Sequence, residues 1–255
     1  MKGFLAYFDI LGFKSLVENN DLENLTRLMH NLVFLKAEKE LSGNKFVEIP
    51  MGYMPDLSKS KINCLHISDS ILFFIDEKQH EHLGSFMTVC YKYNMLSILQ
   101  GLPMRGAVVY GEYSFTPIMT KSESNTTWVN GSLFGKALVD AHTLAESQEW
   151  AGCIIDNSVL VKINGQNEII KELEKTTQQY PVPIKAKDTG NVIQVNHTVF
   201  NIIEGGNIKT EMINGYKENI NKNFTSFGKK IDTESAARKL ENTLEFFKSF
   251  CEKIN

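Results

Sequence analysis

The chain begins with an apolar run that ends in an acidic residue. Residues 4 to 8 are all apolar, and Asp9 follows them directly. A run without polar alternation predicts a central strand buried on both faces, and α/β folds place their chemistry at the carboxyl ends of such strands. Residues 61–67 and 70–75 predict a hairpin with Asp69 at its tip. The sequence therefore predicts an aspartate at the end of one apolar strand and another at the tip of a hairpin.

The order of the remaining segments predicts an α+β fold in which helices cover one face of a mainly antiparallel sheet. We expect residues 1–160 to form the core and residues 161–255 a C-terminal extension packed on it, in the same domain. The predicted helices are 14–41 (either one helix or two joined near 19–21), 79–99, 135–150, a short one after Asp156, 166–175, 207–223 and 232–253. The other predicted strands are 45–49, 104–113, 152–155, 191–195 and 197–203, with a loop or hairpin at 114–131.

Charge and cysteine content exclude several classes of function. The net charge is −3, and only three of the 27 basic residues are arginines, so a surface that reads duplex nucleic acid is not expected. The four cysteines show no metal-binding or disulfide spacing. No apolar stretch reaches the ~20 residues of a membrane helix, and Asp9 interrupts the N-terminal apolar run. These features favour a cytoplasmic protein without a nucleic-acid or membrane partner.

The two aspartates have two interpretations. If Asp9 and Asp69 converge, their charges repel unless a cation neutralises them, and hard oxygen ligands favour Mg²⁺ or Mn²⁺. Alternatively, Asp9 caps the following helix and Asp69 occupies an ordinary hairpin turn.

Four segments, in order, resemble motifs of the class III nucleotide cyclases. Residues 8–16 resemble the first metal-binding motif, and residues 67–74 the second, with Ser68 in place of a glycine. Residues 105–111 resemble a later strand that begins with Arg, and residues 135–141 with 152–156 resemble the active-site helix and the strand after it. The resemblance extends from about residue 4 to 160 and implies the α+β, ferredoxin-like fold of that family, with a helical C-terminal extension.

The resemblance also implies a site. It implies a homodimer with shared active sites that binds a nucleoside triphosphate and two Mn²⁺ or Mg²⁺ ions per site. Asp9, Asp69 and the backbone carbonyl of Ile10 would hold the ions. The backbone amides of Leu11, Gly12, Phe13 and Lys14 would cradle the phosphates.

The departures from the family pattern concern the base and the transition state. Purine cyclases of this class carry Asn and Arg where this chain has Val139 and Thr143, and their base-reading positions fall at Leu65 and Ser132. In this the chain resembles the bacterial Pycsar pyrimidine cyclases. That resemblance implies conversion of UTP or CTP to the 3′,5′-cyclic monophosphate and pyrophosphate, which activates an effector in anti-phage defence. A purine cyclase with atypical base contacts and an inactive, nucleotide-sensing module remain alternatives.

Several side chains are candidates for supporting roles. Tyr53 is a candidate for narrowing the base pocket, and Arg105, Lys14 and Lys136 are candidates for meeting the developing charge. Arg105 would equally suit a structural ion pair. We expect the remaining basic side chains of interest to be packed or solvated: His66 and His142 packed, and Lys185, Lys187, Lys229 and Lys230 on the surface.

Overall fold

The chain has an α+β fold built on one large sheet. The computed structural model describes residues 1–121, 127–203 and 210–254. Its strands are β1 (Lys2–Ile10), β2 (Phe46–Ile49), β3 (Gly52–Pro55), β4 (Asn63–Ile67), β5 (Ser70–Asp76), β6 (Met104–Glu112), β7 (Ser114–Lys121), β8 (Thr127–Phe134), β9 (Gly152–Ile155), β10 (Thr177–Lys185) and β11 (Val192–Phe200). Its α-helices are α1 (Phe13–Glu18), α2 (Leu22–Met29), α3 (Leu35–Leu41), α4 (Leu83–Gln100), α5 (Lys136–Glu146), α6 (Asn157–Lys162), α7 (Asn167–Thr176), α8 (Thr210–Thr225) and α9 (Glu234–Ile254).

The large sheet has seven strands in the order β10-β11-β9-β6-β1-β5-β4. Only the pairing of β6 with β9 is parallel. Strand β1 lies between β5 and β6, which explains why its whole apolar run is buried. Strands β10 and β11 extend the same sheet, so the sheet continues past residue 160. The pairs β2–β3 and β7–β8 form separate two-stranded sheets.

Alternate residues of β1 enter two different cores. Phe4, Ala6 and Phe8 belong to the larger apolar cluster, which includes residues of α4. Leu5 and Tyr7 belong to a smaller cluster on the opposite face, where α5 contributes three buried alanines. The two-residue period of a strand thus places Asp9 on the same face as Tyr7, the face that α5 covers.

The first half of the chain follows the predicted elements closely. The strand at 4–8 and the hairpin with Asp69 at its tip are confirmed. The helical stretch is divided, as one of the two alternatives predicted, at Asn19–Asp21, where the Asp21 side chain accepts a hydrogen bond from the Asn24 amide and begins α2. A π-helical turn at His30–Phe34 separates α2 from α3.

Helix α5 and the strands predicted at 191–203 differ from the prediction in extent, and β10 was not predicted. Helix α5 ends at Glu146 instead of 150, because the chain then turns inward and buries Trp150, whose Nε1 donates to Gln148 Oε1. Strand β10 was not predicted; it contains Pro181 and Pro183, which an edge strand tolerates. The two strands predicted at 191–203 are one strand, β11. Residues 207–209 of a predicted helix lie outside the described residues.

No helix in the described ranges is both long enough and apolar enough to cross a bilayer.

Candidate active site

The carboxyl end of β1 meets the tip of the β4–β5 hairpin. In the antiparallel register Asp9 lies opposite Ser70, which places Asp69 beside Ile10. The Ile10 amide donates a hydrogen bond to the Asp69 carbonyl at 3.2 Å. Ser68 has a positive φ of 55°, so the tip is a tight turn. The predicted convergence of the two aspartates is therefore present in the fold.

The Asp9 carboxylate is nearly buried and is paired with Arg105. The guanidinium Nε and Nη2 atoms both lie 2.9 Å from Asp9 Oδ2, and the side chains of Arg105 and Asp9 are only 15% and 13% exposed. Burial raises the pKa of Asp9, the Arg105 charge lowers it, and the nearby Asp69 charge raises it further. The net shift is upward, so desolvation outweighs the attraction of Arg105.

Helix α5 holds Arg105 from the other side. Arg105 Nη1 donates to the Glu146 carbonyl at 2.8 Å, and Nη2 lies 3.5 Å from Glu146 Oε1. The C-terminal carbonyls of a helix carry partial negative charge, which suits a guanidinium. Arg105 thus forms the structural ion pair that the sequence allowed, and it does so inside the candidate site.

Two polar side chains beside Asp9 were not identified from the sequence. The hydroxyl groups of Tyr7 and Ser70 lie 2.7 Å apart, and the Tyr7 ring packs edge-on against His142 at 5.2 Å. Burial is the largest cause of the raised pKa of Tyr7. The signal was present: Tyr7 precedes Asp9 by two residues on a strand, so the two side chains share a face.

The turn after β1 differs in one respect from the prediction. Gly12 has φ 75°, a conformation that favours glycine, and α1 begins at the next residue. The Leu11 amide donates to the Pro103 carbonyl at 2.9 Å, so it is not available to a phosphate. Gly12, Phe13 and Lys14 are the first residues of the turn and of α1, where amides lack intrahelical acceptors.

The predicted base-reading positions lie close together. Leu65 is half-buried on β4, and its Cδ1 is 3.5 Å from where a Cβ at residue 131 would lie, next to Ser132 on β8. Tyr53 is on the separate β2–β3 hairpin and is 74% exposed, so it does not wall a base pocket within this chain.

Two of the predicted cations are exposed and have acidic neighbours. Lys14 is 87% exposed and lies 3.7 Å from Glu18, and Lys136 pairs with Asp140 one helical turn away. Exposed pairs of this kind contribute little. Neither lysine is therefore held at the Asp9–Asp69 site in this chain.

A groove of about 530 Å³ is lined mainly by residues of α5 and of the end of β10, and its lining residues include three lysines and two aspartates. Val139 and Thr143 line it, so the two positions at which purine cyclases carry Asn and Arg face open space. Lys185 and Lys187 are exposed, as predicted, and they line this groove with Lys136. Their position at the end of β10 was not foreseen because β10 itself was not predicted.

The donor set at the end of β1 suits a hard divalent cation. Asp9 is a nearly buried carboxylate, and Asp69, whose charge contributes to the raised pKa of Asp9, supplies a second carboxylate close to it. No group of three or more His, Cys, Asp or Glu side chains in the described segments is arranged around a common point. Mg²⁺ and Mn²⁺ are commonly bound by one or two carboxylates, with water and substrate phosphate completing the shell. The residues present therefore fit such an ion.

Comparison with solved structures finds nucleotide cyclases. One is the catalytic core of a rhodopsin-guanylyl cyclase with converted specificity in complex with ATPαS, with 13% identity and a TM-score of 0.48 over 78% of this chain and 95% of that one. Another is the adenylyl cyclase CyaB from P. aeruginosa, with 15% identity and a TM-score of 0.46 over 80% and 97%. A third is the guanylate cyclase domain of RhGC from Catenaria anguillulae in complex with GTP, with 13% identity and a TM-score of 0.45 over 78% and 95%. No family model matches the chain, and no curated protein matches it.

Proposed function

We propose that this chain is a divalent-metal-dependent nucleotide cyclase. The observation that carries the proposal is the meeting of Asp9, at the end of β1, with Asp69, at the tip of the β4–β5 hairpin. A glycine turn begins three residues after Asp9, and the mostly buried Arg105 side chain lies beside Asp9. These are the parts that a reaction at a triphosphate needs: carboxylates for cations, a close approach for phosphate, and a fixed positive charge.

In the reaction, the ribose 3′ oxygen bonds to the α-phosphorus, the bond to the β-phosphate bridging oxygen breaks, and the 3′ hydroxyl proton is released. Asp9, Asp69 and the Ile10 carbonyl would hold the cations, and bound cations would supply activation of the 3′ oxygen and neutralisation of triphosphate charge. Gly12 admits the phosphates because it has no side chain. Arg105 is oriented by Glu146 and places positive charge near the leaving pyrophosphate.

The proposed substrates are UTP or CTP. Leu65 has no polar atom on its side chain and lies next to the Gly131–Ser132 segment, so this wall offers little hydrogen bonding to a purine. The product would be a 3′,5′-cyclic pyrimidine monophosphate that acts as a second messenger on an effector, as in Pycsar anti-phage defence. A purine cyclase with atypical base contacts would differ in substrate alone.

Substrate assays test the proposal directly. We expect the purified protein with Mn²⁺ to form a cyclic monophosphate from UTP or CTP and little from ATP or GTP, with products identified by mass spectrometry. Cyclic AMP or cyclic GMP as the main product would contradict the pyrimidine assignment but would still support a nucleotide cyclase. Absence of pyrophosphate release from all four triphosphates would contradict the cyclase itself.

The site is also proposed to be shared between two copies of the chain. Val139 and Thr143 line a groove whose lining does not include Asp9, and a second copy of the chain would complete the site there. We expect sedimentation to show a dimer, and specific activity to fall on dilution through the dissociation range. A monomer that is fully active at assay concentration would contradict shared sites.

One observation favours a second candidate, an inactive nucleotide-sensing module. Arg105 already pairs with Asp9 Oδ2, and a guanidinium there replaces the charge that a metal would supply. Such a module would bind a nucleoside triphosphate without turnover. Equal nucleotide binding with and without Mn²⁺, together with no product from any triphosphate, would favour it over the cyclase.

A further inference from the structure

A buried lysine from the C-terminal part of the chain lies over the Gly12 turn. The predicted surface position of Lys229 is wrong, because the residue is only 6% exposed. A Cβ placed on Gly12 would lie 3.6 Å from Lys229 Cδ, and the ammonium nitrogen is two bonds beyond that atom. The side chain therefore covers the turn that follows Asp9.

The segment that carries Lys229 is fixed against the C-terminal end of α1 and against α4. Asn20 Nδ2 donates to the Phe227 carbonyl at 2.7 Å. Gly228 has φ 76° and packs so closely that a Cβ there would lie 2.8 Å from Asn19 Cβ. Asn223, at the end of α8, donates to the Ile98 carbonyl at 2.9 Å. These hydrogen bonds and the close packing of Gly228 fix the position of Lys229 over the turn.

Among the described residues, no acidic side chain forms an ion pair with the Lys229 ammonium group. Burial alone lowers the pKa of Lys229, to about 7. A buried ammonium without a carboxylate is costly, and an anion that binds beside it removes the cost. Lys14, the other lysine near the turn, instead points outward and lies near Glu18.

We infer that Lys229 binds the polyphosphate chain of the substrate at the Gly12 turn. The inference rests on the proposed function for the identity of the ligand. Helix α1 has only six residues, so its amides alone make a weak site for a multiply charged anion. Lys229 supplies the missing positive charge. Residues beyond 160, outside the stretch that resembles cyclases, thereby contribute to the active site.

The test uses inorganic tripolyphosphate with Mg²⁺ as the probe, because its binding requires neither a base nor turnover. Lys229→Met keeps the aliphatic stem over Gly12 and removes the charge. We expect its dissociation constant for tripolyphosphate, measured by calorimetry, to rise about 10- to 100-fold. Lys230→Met removes the adjacent, exposed charge and should change it less than about twofold. Lys229→Arg should retain most of the affinity.

Stability supplies a second readout that separates a binding role from a structural one. The pKa of Lys229 is lowered on folding, so its penalty is complete below about pH 7 and disappears as the pH rises toward 10.5. Lys229→Met should therefore raise the melting temperature, more at pH 6 than at pH 10. A variant that melts lower than the wild type at both pH values would show that the charge is structural and would overturn the inference.

The outcomes distinguish this inference from the proposed function. If Lys229→Met alone loses tripolyphosphate binding but no triphosphate is cyclised, the lysine assignment stands and the cyclase is wrong. If cyclisation occurs and Lys229→Met binds tripolyphosphate like the wild type, the lysine assignment is wrong. Equal losses in Lys229→Met and Lys230→Met, or no binding by the wild type, would also overturn it.

Discussion

Replacing Asp9 with Asn is expected to lower turnover by about a thousandfold or more with little change in melting temperature. The loss is large because the substitution removes one of only two carboxylates at the proposed metal site, and metal stabilisation of the transition state amounts to several kcal/mol. Burial raises the pKa of Asp9, so its charge is costly in the folded state, and Asn removes that charge while keeping the shape of the side chain. The Asn carbonyl oxygen can also still accept from Arg105.

A matched substitution separates chemistry from stability. Asp21→Asn makes the same chemical change at the first residue before α2, where Asn caps a helix as well as Asp does. Turnover and Mn²⁺ affinity should both be unchanged in Asp21→Asn and both be reduced in Asp9→Asn. An Asp9→Asn protein that keeps wild-type turnover and Mn²⁺ affinity would remove Asp9 from the metal site.

The carboxylate pair was predictable from sequence because local patterns determine it. An apolar run buried on both faces ends at Asp9, and a two-residue polar tip carries Asp69, so strand geometry alone brings them to one edge. The two-residue period of a strand also places Tyr7 on the same face as Asp9, although Tyr7 was not identified as a site residue. The contact of Arg105 with Asp9 was predictable, because the two residues lie opposite each other on neighbouring strands. Its contact with Glu146 was not, because that contact depends on how α5 packs on the sheet.

The second half of the site depends on contacts distant in sequence. Strand β10 contains two prolines, a pattern that argues against a strand unless the strand is known to lie at an edge. Lys229 follows a glycine and precedes another lysine, which is a typical surface pattern, and only the docking of residues 226–229 on α1 buries it. The Leu11 amide was predicted to be free, but Pro103, more than ninety residues away, accepts its hydrogen bond.

Replacing Gly135 with Ala is expected to cause a large loss of stability. Gly135 precedes α5 with φ 139° and ψ 173°, a region that only glycine occupies readily. An added Cβ would also lie 2.6 Å from both the Glu112 carbonyl oxygen and Tyr113 Cα, which are backbone atoms that cannot rotate away. Strain and overpacking each cost about 1–3 kcal/mol, so we expect a loss of about 3 kcal/mol or more.

For a chain of this size, that loss corresponds to a melting temperature lower by about 6 °C or more, measured by calorimetry. Gly215→Ala is the matched control, because Gly215 lies within α8 with nothing within 4 Å of its added Cβ. Alanine in that helix should raise stability by about 0.5–1 kcal/mol. The opposite signs follow from backbone conformation alone. If Gly135→Ala melted at the wild-type temperature, the close contact of Gly135 with β6 would be wrong, and with it the placement of α5 that orients Arg105 through Glu146.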